Sequence, residues 1–296
     1  MRRAMVLWAL AMAVSTHVGG EDAPAKKATG LTDAEQEAFL AEGAVVRTRG
    51  VGAGTTRSVR ATLRRDGLEH DAHIQSIDET KPAMKLGATT EIDFRDTYKN
   101  NVAAYRLDRL LGLGLVPVTV ERHFERKRSA FTWWVDDVLM TELERRDKKM
   151  PSPDPRAWNR QMYVVRIFDQ LIYNFDRNLG NLLVDESWNL WMIDHTRAFK
   201  IFKNVKEPAN LGTHCPRALL LALRALDDPT LAAAMKGLLV EGQITGLLAR
   251  RDFIVKYYEA RIAELGENEV LYDLPPRVTG GPVSRSAQLP GSRGGP

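Results

Sequence analysis

The stretch AWNRQMYVVRIFDQLIYNFDRNLGNLLVDESWNLWMIDHTRAF, residues 157–199, constrains the fold of this chain more than any other. Its first eighteen residues read as a long, mostly buried helix. That helix runs without a spacer into Asp176, Asn181 and Asp194, three oxygen-bearing side chains set on a loop and a short hairpin. Asp176 precedes Asn181 by five residues, and Asn181 precedes Asp194 by thirteen. The intervening LLVDESWNLWMI is one hairpin long, with Val-Asp-Glu-Ser as its turn, so the chain returns Asp194 beside Asn181. Oxygen ligands on a compact loop suit a hard cation.

The elements before and after this stretch fall into two unequal parts. LTDAEQEAFLAEGAVV reads as a short helix with Thr32 as N-cap and Glu35 three residues on, the spacing of a capping box. Two alternating strands follow, joined through Asp66-Gly67 and preceded by the glycine-rich GVGAG of residues 50–54. DFRDTYKNNVAAYRLDRLLGLG is an amphipathic helix with Val102, Tyr105, Leu107, Leu110 and Leu111 on its apolar face, stopped by Gly-Leu-Gly. LVPVTVERHFERKRSAFTWWVDDVLM has the shape of two strands about a charged turn, and DKKMPSPDP is a loop with three prolines. Residues 216–266 read as helical, with Asp228 as N-cap and Pro229 at the first helical position. The order gives an α+β chain with two lobes. A small β-rich N-lobe with one main helix covers about 31–146, and a larger, mainly helical C-lobe covers about 154–274. A cleft between lobes is the default place for a ligand.

The two ends carry their own signals. MRR is a basic start, AMVLWALAMAV an apolar run of eleven, and STHVGG a small-residue segment, the pattern of a signal peptide over residues 1–20. The run is too short to span a bilayer, which implies secretion or periplasmic delivery with no integral membrane segment after cleavage. Residues 21–30 read as a polar linker. The Pro/Gly/Ser/Arg tail over 275–296 has too little apolar content to fold. Arg2, Arg3, Arg277, Arg285 and Arg293 account for five of the 42 basic residues, leaving 37 against 38 acidic ones. A body so nearly neutral is not the footprint of a nucleic-acid binder. Cys215 is the single cysteine, so no internal disulfide forms.

The pattern NFDRNLGN followed by WMIDHTRAF resembles the N-x-D-R-x-x-x-N and I-D motifs of the atypical protein-kinase-like family, which includes HipA-type, phosphatidylinositol-kinase-like and secretory-pathway kinases. The resemblance is sharp over about 30 residues and implies a two-lobed protein-kinase-like fold that uses ATP with Mg²⁺ or Mn²⁺. On it, Asp176 is the base, Asn181 and Asp194 hold the metal, and Arg177 neutralises phosphate or pairs with the catalytic loop. Gly50, Gly52 and Gly54 would form the flap over the phosphates, and Val138 and Met140 the hinge beside the adenine. The acceptor it implies is a hydroxyl, on a protein first, with a lipid or sugar as other classes.

The sequence departs from that pattern on the phosphate-holding side. Gln75 stands where a strand lysine is expected, and Asn101 where its helix glutamate is expected. Glutamine donates hydrogen bonds to a phosphate but supplies no positive charge. Three readings stay open. A working kinase recruits another cation, with Lys81, Lys85 or Arg60 as candidates; the chain is a pseudokinase that acts as a nucleotide-binding or scaffolding module; or the register differs and Lys85 pairs with Glu91. Nucleotidyl (AMP) transfer is a further alternative, because related folds catalyse it. His70 and His73 read as surface groups on a strand, and His195 as a group that orients Asp194 or its loop.

Overall fold

The computed structural model describes residues 26–27, 30–50, 58–174 and 177–274. The expected leader, Gly52, Gly54, Asp176 and the tail lie outside the described residues.

The N-lobe is built on an antiparallel sheet. A two-residue strand β1 (Lys26–Lys27) and helix α1 (Asp33–Glu42) precede β2 (Ala44–Gly50), β3 (Val59–Arg65) and β4 (Leu68–Gln75). Then come β5 (Asp78–Leu86), β6 (Thr89–Thr97), α2 (Tyr98–Leu110), β7 (Thr119–Phe124) and β8 (Lys127–Trp133). The main sheet runs β2-β3-β4-β8-β7, with β1 added alongside β4. The capping box of α1 forms as the sequence implies: Thr32 Oγ1 accepts from the Glu35 amide at 3.3 Å, and Glu35 Oε2 accepts from the Thr32 amide at 2.7 Å. The Asp66-Gly67 turn places both residues at positive φ, +50° and +76°, as a tight two-residue hairpin requires.

Side chains along a strand alternate between faces, and β4 shows what that alternation does. His70, Ala72 and Ile74 point into the core with Leu63, Phe131 and Trp133 and the buried faces of α1 and α2. Asp71, His73 and Gln75 take the opposite face. His70 is therefore a core residue and not a surface group: its ring stacks on Trp133 at 3.7 Å, and Nε2 lies 2.8 Å from Asp136 Oδ2.

The segment carrying Lys85 and Glu91 reads as loop from sequence, yet it folds as a two-stranded hairpin, β5 with β6, turning at Gly87 (φ +60°). Most of its side chains are exposed, and Pro82 interrupts any alternation, so no apolar period announces it. The hairpin settles the Lys85 question. Glu91 sits opposite Met84, and its partners come from the C-lobe: Arg197, and Lys200 Nζ at 2.8 Å. Lys81 pairs with Glu79, and Arg60 Nε with Asp71 Oδ2 at 2.5 Å while its guanidinium stacks on Trp134.

In the C-lobe, β9 (Val138–Thr141) and α3 (Glu142–Asp147) lead to α4 (Pro155–Ile172). Helix α4 starts where Asp154 accepts from the Arg156 and Ala157 amides with Pro155 in the first turn, and stops where Tyr173 turns left-handed, φ +57°. Its buried face includes Phe168, Leu171 and Ile172, and each such side chain contributes about 1.5–3 kcal/mol by leaving water. β10 (Leu182–Asp185) and β11 (Leu190–Met192) form the expected hairpin, and β9 adds to it in the order β11-β10-β9. Helices α5 (Arg217–Ala225), α6 (Asp228–Ala234) and α7 (Glu241–Leu265) complete the lobe. The cap of α6 is Asp227, one residue earlier than the sequence suggests, accepting from the Thr230 amide at 2.7 Å. Among the described residues no helix is long and apolar enough to cross a membrane.

Candidate active site

The site lies in a cleft of about 290 Å³ between the lobes. Its roof is the outward face of β4, its floor the β10–β11 hairpin, and its inner wall the start of α2. Gln75, Asn101, Val138, Asn181 and Asp194 all line it, together with His73, Trp134, Leu183 and Met192. Residues 106 positions apart in sequence thus converge on one space, as the expected two-lobe arrangement requires.

At the mouth of the cleft the hairpin does what its length implies. The Ile193 amide donates to Asn181 O at 3.0 Å, which lays the end of β11 against the 3₁₀ turn Leu179–Asn181. Asp194 adopts a positive φ of +56°, swinging its carboxylate back toward that turn. Asn181 Nδ2 then donates to Asp194 Oδ2 at 3.2 Å, and Thr196 Oγ1 donates to Asp194 Oδ1 at 3.2 Å. Both side chains face solvent at the cleft mouth, an all-oxygen set once Asn181 turns its carbonyl to a ligand. Such a set would suit a hard divalent cation such as Mg²⁺ or Mn²⁺, with Asn181 and Asp194 as the residues that would hold it. No cluster of three His, Cys, Asp or Glu side chains able to hold a metal occurs among the described residues. A cation held here would draw its further ligands from its nucleotide.

Arg177 is placed by α4. Its Nη2 and Nε bind Asp169 Oδ1 and Oδ2 at 2.7 and 3.1 Å, and Nη1 donates to Ile193 O at 2.8 Å. The pair is nearly closed to solvent, with side chains 10% and 9% exposed. Asn174 Nδ2 adds a third donor to Asp169 at 3.0 Å. Of the two roles the sequence leaves open, the geometry gives Arg177 the second: it ties the loop after α4 to the residue before Asp194.

Asn101, at the helix-glutamate position, accepts from the His195 amide at 2.7 Å through Oδ1. Asn100 Nδ2 donates to Thr196 O and Ala198 O at 2.8 and 2.9 Å. Two adjacent asparagines of α2 therefore clamp the segment that follows Asp194. The His195 ring is fully buried, edge-on to Phe168, and burial followed by the Arg177 charge pushes its pKa well below the usual histidine value. It fixes the loop from within the core and does not reach the Asp194 carboxylate.

Two expected nucleotide contacts shift. Met140 is buried and lies outside the cleft lining, because β9 pairs with β10 (Met140 opposite Val184) and turns that side chain inward. The segment that crosses between lobes is 134–137, of which Trp134 and Val135 face the cleft. Gly50 ends β2 exposed and does not line the cleft.

Sequence reasoning missed two groups. His73 lines the roof on the same strand face as Gln75, a period-2 relation visible in the sequence. Its pKa is lowered by desolvation, against which the Asp194 charge acts. Asp96, two residues before α2, lies against the Thr196 hydroxyl; burial, and more weakly the Asp194 charge, raises its pKa. No sequence signal marks it, since only the β5–β6 hairpin brings it near Thr196, and it lines no part of the cleft.

No protein-family model matches the sequence, and no curated protein matches it. Solved structures do. The structure of hydra Fam20 with sugar superposes at TM-score 0.62 with 14% identity, covering 80% of this chain and 90% of that one. A Golgi casein kinase superposes at 0.58, also at 14% identity, over 82% of this chain and 78% of that one. A Golgi casein kinase with Mn/ADP bound gives 0.57, again at 14% identity, over 82% and 80%. The chain has the two-lobed kinase-like fold of these structures.

Proposed function

We propose that this chain is an exported, metal-dependent phosphotransferase that moves the γ-phosphoryl of ATP to a hydroxyl acceptor, on a protein in the first instance. The observation that carries the reading is the Asn181–Asp194 pair, hydrogen-bonded across the hairpin at the mouth of the interlobe cleft. The Mn/ADP-bound Golgi casein kinase supports the same ligand chemistry for this fold. Asn181 and Asp194 would hold Mg²⁺ or Mn²⁺, which neutralises charge on the phosphates when bound. Asp176 would accept the proton of the attacking hydroxyl. The chain's remaining work is positioning: Arg177 and Asn174 fix the loop through Asp169, and Asn100 and Asn101 fix the segment after Asp194. Trp134, Val138, Leu183 and Met192 offer apolar walls to a base.

A second reading, a pseudokinase that binds nucleotide and acts by contact, is favoured by Gln75 and Asn101. Both line the cleft as neutral amides, and no Lys or Arg lines it among the described residues. ATP labelled separately at the γ- and α-phosphate, incubated with candidate acceptors and Mn²⁺, tests the two. Transfer of γ-label that vanishes in Asp194→Ala supports the kinase. Binding without transfer supports the pseudokinase, and transfer of α-label would replace both with nucleotidyl transfer.

A further inference from the structure

We infer that Arg197 is the cation of this site, its guanidinium holding the γ-phosphoryl of the nucleotide on the side of Asn181 and Asp194 away from the base. The inference rests on the metal–nucleotide reading above and adds the positive charge that Gln75 and Asn101 do not supply.

Beside the interlobe cleft lies a second cavity of about 200 Å³, lined by polar side chains that include Asn178, Thr196 and Arg197. Asn181 and Asp194 line both spaces. The apolar walls that suit a base, Trp134, Val138, Leu183 and Met192, belong to the cleft alone. Phosphates that run from a base in the cleft past Asn181 and Asp194 therefore enter the second cavity. Among the described residues Arg197 is the single Lys or Arg that lines either space; Lys81, Lys85 and Arg60 line neither.

Arg197 follows Asp194 by three residues, on the segment that Asn100 and Asn101 clamp. Its Nη2 donates to Glu91 Oε2, and its guanidinium lies over the Phe94 ring, 5.1 Å from the centroid. Both partners belong to β6, so the N-lobe holds this C-lobe arginine in place. Nε and Nη1 make no hydrogen bond with a described residue, which leaves two donors of the fork for a phosphate. The charge is in surplus as well. Lys200 Nζ lies 2.8 Å from the other oxygen of Glu91, so two cations face one carboxylate. The Lys200 side chain is 1% exposed and that of Arg197 is 37% exposed, so the member of the trio open to the cavity is Arg197. Asp96 also feels the Arg197 charge, but it forms no ion pair with a described residue, and burial raises its pKa. A guanidinium in this position binds phosphate oxygens and neutralises charge on a transferring phosphoryl group.

The test is calorimetric binding of ADP and of the non-hydrolysable β,γ-imido analogue of ATP, each with saturating Mn²⁺. The full chain is used as wild type, Arg197→Gln, Arg197→Lys and Glu91→Gln, with nucleotide-free melting temperatures measured alongside. Wild type is expected to bind the triphosphate analogue more tightly than ADP. Arg197→Gln is expected to lose about tenfold or more in affinity for the analogue while its ADP affinity stays within about twofold. Arg197→Lys, which keeps the charge, is expected to keep part of the preference. Glu91→Gln strands the buried Lys200 and is expected to melt lower, yet to keep the preference. An unchanged preference in Arg197→Gln would overturn the role of Arg197 and leave the nucleotide site standing. An equal loss of preference in Glu91→Gln would overturn it too, because the ion pair between the lobes would then be what matters. Loss of fold in Arg197→Gln would also overturn it, because it would make the arginine a structural partner of Glu91. A wild type that binds neither nucleotide with Mn²⁺ would overturn both this role and the nucleotide site.

Discussion

Replacing Arg177 by leucine separates the two roles open to this arginine. In the folded chain its guanidinium makes two bonds to Asp169 and one to Ile193 O, with both partners of the ion pair about nine-tenths buried. The leucine leaves the Asp169 carboxylate in place with Asn174 Nδ2, at 3.0 Å, as its remaining side-chain donor. Stranding one member of a buried pair costs about 3–5 kcal/mol. At roughly 2–4 °C per kcal/mol for a chain of this size, the melting temperature falls on the order of 10 °C. Removing both charges, with Asp169→Leu added, restores part of that loss, because nothing charged is then left buried. Thermal melting and urea denaturation of the nucleotide-free protein read the effect. An Arg177→Leu protein with unchanged stability and weakened nucleotide binding would refute the reasoning and place the guanidinium on the phosphates.

Three further outcomes follow from packing and charge. A Cβ at Gly246 would lie 2.8 Å from Ile201 O and 3.0 Å from Arg250 Nη1, so Gly246→Ala is expected to cost about 1–3 kcal/mol by overpacking, measured by urea denaturation. At Asp71 burial pushes the carboxyl up, but hydrogen bonds from Thr62 and Arg60 and the charges of Arg60 and Arg49 outweigh it and hold it below its ordinary 3.8. Its ionised form therefore stabilises the fold above that value, and the contribution is lost as pH falls through the lower folded value; Asp71→Asn should flatten the acid limb of the stability curve. Burial pushes the Cys215 thiol up to about 12, so it should resist alkylation at pH 8 until the chain unfolds, as mass spectrometry with and without denaturant would show.

The features legible in the sequence were those written in local chemistry. The α1 capping box, the Asp66-Gly67 turn, helix α4 with its abrupt end and the β10–β11 return need only neighbours in the chain, and each forms as expected. Gln75 and Asn101 were found by position and do share the cleft. What stayed hidden depends on distant partners. His70 looks like an exposed strand residue until Trp133 and Asp136 arrive from more than sixty positions away. The β5–β6 hairpin lacks an apolar period because most of it faces water, and its Glu91 finds its cations only in the C-lobe. The crossing point at 134–137 was read too late in the chain because Trp134 and Val135 extend the apolar end of β8 and Val138–Met140 resume it after Asp136-Asp137, with no glycine or proline to mark the break. The two strands part only because β9 joins the hairpin of the other lobe.

The most direct test of a metal-dependent nucleotide site in this cleft is a thermal-shift titration of wild type and Asp194→Ala with ATP, with and without Mn²⁺. A site with a dissociation constant a hundredfold below the ligand concentration stabilises the fold by about 2.7 kcal/mol. The expected result is a melting temperature several degrees higher for wild type with ATP and Mn²⁺, a smaller rise with ATP alone, and no metal-dependent rise in Asp194→Ala. No shift of the wild type at millimolar ATP and Mn²⁺, or an equal shift in Asp194→Ala, would contradict it.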